Sequence, residues 1–102
     1  MRSKIKITVL KRLGASELFD ELPVTPVSPA EPCDIYQDGQ EFMIGTDLKV
    51  PENFCESAWH SIRSSIVTLS YGGNFPWFKE QGVDISCCTD GLRPVIFKLE
   101  RV

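Results

Sequence analysis

Between residues 23 and 32 the chain reads Pro23-Val-Thr-Pro26-Val-Ser-Pro29-Ala-Glu-Pro32, with proline at every third position. Each ring fixes φ near −65° and removes a backbone donor, so neither a regular helix nor an interior strand runs through this stretch. Polyproline II also turns every three residues, which would line one face of an extended segment with rings. Two meanings suit that spacing. The commoner is a surface connection held extended by proline; the other is a docking ligand of the PxxP kind. The regular elements must therefore lie on either side.

On the N-terminal side, Lys4–Lys11 places Ile5, Ile7 and Val9 on one face and lysine on the other, the period-two signature of a half-buried strand. Ser16–Leu22 reads as a short helical turn capped by Ser16. Beyond the prolines, Asp38-Gly39 is a turn signal, and Glu41–Ile44 follows as a short strand with Phe42 and Ile44 on one face. Pro51 and Asn53 then announce a helix, with Asn53 as cap and Glu56 reaching back to it, and Gly72-Gly73 as the stop. Cys55, Ala58, Trp59, Ile62, Ile66 and Leu69 recur along it at helical spacing, which predicts one buried face. Val83–Cys88 and Val95–Arg101 read as a β-hairpin about Asp90-Gly91, with Pro94 at a strand start. In Val83–Cys88 the alternation assigns Val83, Ile85 and Cys87 to the core and leaves Cys88 the more accessible of the two neighbouring thiols. The order predicts an α+β fold: an antiparallel sheet of about four strands with one long helix on one face, in a single domain over residues 1–102.

Charge narrows the function classes. A formal net charge of −3 argues against a nucleic-acid partner, which would call for a basic stripe. The one basic cluster, Arg2, Lys4, Lys6, Lys11 and Arg12, fits the solvated side of a strand. No apolar run approaches the roughly 18 residues of a membrane helix, and the N-terminus lacks a secretory signal. A cytoplasmic protein with reduced cysteines is expected.

Lys6-Ile-Thr-Val-Leu-Lys11, Phe54-Cys55, Gly72-Gly-Asn-Phe-Pro-Trp77 and Cys87-Cys-Thr-Asp-Gly-Leu-Arg-Pro-Val-Ile-Phe-Lys98 together resemble a family of small bacterial and archaeal proteins that carry the domain in single or repeated copies. The resemblance spans nearly the whole chain apart from the proline segment. It implies no substrate, cofactor or catalytic residue.

Two constellations bear on function. Cys33, Cys55, Cys87 and Cys88 offer thiolates to a metal or to redox chemistry, but no CxxC knuckle is present, and strand alternation splits Cys87 from Cys88. At most three thiolates would converge. His60 lies five residues from Cys55, roughly 140° around a helix, so one metal does not easily use both. Buried packing is the commoner fate of cysteine. The second constellation is aromatic: Trp59 on the helix, then Tyr71, Asn74, Phe75, Trp77 and Phe78 around the helix stop, which either plug one end of the core or form a surface for a ligand or protein partner. Asp90 and Arg93 beside Cys88 form no catalytic motif. The expectation is a small binding or protein-interaction module rather than an enzyme, with homo-oligomers open; the alternative is a cysteine-dependent metal-binding or redox protein.

Overall fold

The protein is described here by a computed structural model that covers residues 2–102. Its elements are β1 (Ile5–Arg12), α1 (Ala15–Leu18), β2 (Glu41–Ile44), α2 (Glu56–Ser70), β3 (Val83–Cys87) and β4 (Val95–Arg101). The strands form one antiparallel sheet in the order β2-β1-β4-β3, with α2 across one face: the α+β architecture expected. No helix among the described residues is long and apolar enough to cross a membrane.

Pairing of Ile7 with Leu99 and of Val9 with Phe97 brings the apolar faces of β1 and β4 together under the helix. Ile5, Ile7, Val9, Phe97 and Leu99 are fully buried against Trp59, Ile62, Ile66 and Leu69 of α2. Each such side chain contributes about 1.5–3 kcal/mol relative to exposure. After Val9 the register slips at Leu10, an extra residue in β1. That bulge re-aims Arg12, whose Nε donates to Asp38 Oδ1 at 3.0 Å and whose Nη1 donates to the Cys33 carbonyl at 2.9 Å. The loop leading to β2 is thereby tied to the sheet.

Several local expectations change. The first short helix is entered through Gly14, whose N–H donates to Glu17 Oε2, rather than through Ser16. Asn53 does not cap α2; it takes a left-handed φ of 63°, which asparagine tolerates, and Cys55 holds the cap position. Bends at residues 23–24 and 27–28 interrupt the proline segment, so it is an irregular connection and not a straight rod. The hairpin loop is wider than a two-residue turn: Cys88 N–H still donates to Val95 O at 3.1 Å, and Asp90 Oδ1 organises the loop by accepting the Leu92 and Arg93 N–H groups at 3.0 Å each.

The face of β3 is reversed. Asp84 and Ser86 pair with Leu99 and Phe97 and share their inward direction, so Asp84 is 7% exposed while Ile85 is 45% exposed on the outer face. Register with β4 decides which side is inward, and β3 meets α2 partly through polar groups, with Ser61 Oγ of the helix donating to the Cys87 carbonyl at 2.8 Å.

Two ends of the sheet matter for function. At one, Ile5 lies opposite Arg101 and Ser3 exchanges backbone and side-chain hydrogen bonds with Ser70, which closes α2's C-terminus onto the start of β1. The other holds the N-terminus of α2, the hairpin loop, and the proline segment, anchored there by the Ala15 N–H to Ala30 O bond of 2.9 Å.

Candidate functional site

At the first end the helix stops in a Schellman arrangement. Gly72, at φ 88°, donates to Leu69 O, and Gly73 donates to Thr68 O. Gly73 approaches so closely that an added Cβ would lie 2.7 Å from Thr68 Cγ2. Arg101 then closes the end of α2 from the sheet: Nη1 donates to Leu69 O at 2.9 Å and Gly73 O at 2.7 Å, and Nη2 donates to Asn74 Oδ1 at 2.8 Å. A guanidinium suits this position because helix-end carbonyls carry partial negative charge. Asn74 Oδ1 also accepts the Gly82 N–H at 2.7 Å, so both ends of the 74–82 loop are tied to one side chain.

What this framework holds out is aromatic. Phe75 and Trp77 lie with ring centroids 5.2 Å apart, Phe78 stands edge-on to Trp77 at 6.3 Å, and Trp77 is 68% exposed. Phe75 also packs against the core, so the ledge is anchored on one side and open on the other. Tyr71, 62% exposed, sits apart from the ledge under the Arg2 guanidinium. Trp59 does not belong to this surface: it lies in the core, edge-on to Phe54 at 6.1 Å.

The cysteines gather at the opposite end, in a different grouping from the strand pattern. Cys33, Cys55 and Cys88 line one cleft of about 200 Å³, with Tyr36 in its wall and Asp90 and Arg93 at its mouth. Cys88 Sγ accepts the Val95 N–H at 3.3 Å and packs against the core cluster. Cys87 shares the outer face with Ile85, and both neighbouring thiols are half-buried; the expected contrast of a buried Cys87 and an accessible Cys88 is corrected by the reversed strand face. Burial, and then the neighbouring Cys88, push the Cys87 thiol up.

Tyr36 is the organiser that sequence reasoning missed. It is 2% exposed, surrounded edge-on by Phe42, Phe54 and Phe97, and its hydroxyl accepts the Cys55 N–H at 3.0 Å, supplying the start of α2 with an acceptor that no capping side chain provides. Burial pushes its phenol up to about 12. At the cleft mouth, burial would raise Asp90, but the Leu92 and Arg93 N–H donors and the Arg93 guanidinium outweigh it and hold the carboxyl below its ordinary range. His60 is exposed on α2, 3.9 Å from Glu56, and does not line the cleft. Among the described residues, no three histidine, cysteine or carboxylate side chains are grouped to hold a metal ion.

Comparison with protein-family models, curated proteins and solved structures finds no match. The resemblance drawn above rests on its quoted residues alone.

Proposed function

We propose that the protein is a small binding module whose contact surface is the Phe75–Trp77–Phe78 ledge. One observation carries this reading: a tryptophan left 68% exposed on a loop whose backbone is fixed by Arg101 and Asn74. A rigid, partly buried aromatic group contributes contact area with little ordering cost on binding, which is why Trp and Tyr dominate binding hot spots. A reducing, cytoplasmic setting suits the four unpaired cysteines. The test is affinity capture from native extract with wild type and Trp77→Ala, both shown to be folded by their melting curves. A set of captured proteins lost with the variant is the expected result; identical sets would refute the reading.

The three-thiol cleft supports a second reading, in which Cys33, Cys55 and Cys88 act in thiol–disulfide exchange with an external disulfide. Reaction of the native, reduced protein with oxidised glutathione, followed by mass spectrometry, decides it. A mixed disulfide that forms at these thiols and is lost in Cys88→Ser would support this reading; three thiols that react only after unfolding would remove it.

A further inference from the structure

Among the large apolar side chains left in solvent, two groups stand at opposite ends of the molecule, apart from single residues such as Leu10, Met43, Val50 and Ile85. At one stand Trp77 and its neighbours. At the other, Leu18, Phe19, Leu22, Val24 and Val27 are all exposed within ten consecutive residues. Contiguous exposed apolar surface marks a contact site far more often than isolated residues do. The two patches cannot meet within one chain, because the length of β4, about 20 Å for seven residues, lies between them.

We propose that the Leu18–Val27 segment of one copy seats on the Phe75–Trp77–Phe78 ledge of the next, giving a head-to-tail assembly. This rests on the binding reading above and adds the partner, a second copy of the chain. Three features fit it. The segment is irregular, but each of its prolines already fixes one φ, so its exposed aliphatic side chains lose less conformational freedom on docking than those of a flexible loop. Exposed Asp20, Glu21, Glu31 and Asp34 accompany the segment, with Arg93 the opposing base beside Pro26–Ala30, whereas Lys79 adjoins the ledge and Arg2 lies over Tyr71 at the same end, with Glu80 the opposing acid there. The charges of the two ends are therefore broadly complementary. Finally, the patches differ and lie at opposite ends, which defines a heterologous contact that propagates rather than a closed twofold pair.

Sedimentation velocity across a concentration series tests this. Wild type should associate progressively, less so at high salt, and both Trp77→Ala and the double variant Val24→Asp/Val27→Asp should weaken association by at least about tenfold. Mixing the two variants is diagnostic. Each retains the half that the other lacks, so the mixture should give a one-to-one dimer and nothing larger. Wild type that stays monomeric throughout, a proline-segment variant that associates as wild type does, or a mixture that stays monomeric would each overturn the inference. If the first result came with a capture set that still depended on Trp77, the binding reading would stand and only self-assembly would fall.

Discussion

Tyr36 joins three parts of the molecule through one side chain: its ring fills the core beside Phe97, its hydroxyl meets the start of α2, and its edge borders the cysteine cleft. Its ionisation is therefore coupled to folding. With the phenol raised from 10.0 to about 12, the neutral form is favoured in the folded state. The stability this represents is fully present below about pH 10 and is lost as pH rises through about 12, because the unfolded tyrosine ionises first; the total is about 2–3 kcal/mol. Tyr36→Phe should flatten that part of the alkaline profile and cost about 1–3 kcal/mol at neutral pH by leaving the Cys55 N–H without its acceptor. Denaturant titration from pH 7 to pH 12 measures both effects, and an unchanged alkaline slope in the variant would contradict the assignment. Nothing in the sequence marks Tyr36, which stands in an aperiodic stretch between Pro32 and Asp38. Trp59, by contrast, was legible as core from its place in the helical period.

Helix α2 and its stop were readable because both signals are local: a 3.6-residue period and a glycine pair whose first member, Gly72, takes the left-handed backbone that the stop requires. The close approach at Gly73 was not, since it depends on where Thr68 points. Gly73→Ala should cost about 1–3 kcal/mol through that clash, whereas Gly91→Ala, with no atom within 4 Å of an added Cβ and no positive φ, should be near neutral. Equal shifts of the two denaturation midpoints would mean that the helix end is not packed as described. Strand β3 was misread for a non-local reason. Alternation shows that two faces differ but not which one meets the helix, and at this edge the pairing with β4 turned Asp84 inward and Ile85 outward. The cysteines followed, so the cleft combines Cys88 with Cys33 and Cys55.

For the whole molecule, the antiparallel sheet with one covering helix follows from the order of periodic segments, whereas the strand order does not. β1 and β4, far apart in sequence, pair at the centre, where Ile5, Ile7 and Val9 of one and Val95, Phe97 and Leu99 of the other bury together on one face. The aromatic residues after Gly72-Gly73 are visible in the sequence as a group, whereas the exposure of Trp77 depends on the hydrogen bonds by which Arg101 and Asn74 fix the loop. That exposed ring carries the functional account, and the protein holds its own control in the buried Trp59. Biosynthetic incorporation of fluorotryptophan gives one fluorine resonance for each of the two tryptophans, assigned with Trp77→Phe. As protein concentration rises, or as a synthetic peptide of residues 18–32 is added, the Trp77 resonance should shift or broaden while that of Trp59 stays fixed. A Trp77 resonance that remains unchanged under both conditions, and in the presence of native extract, would contradict the claim that this end of the molecule is a binding surface.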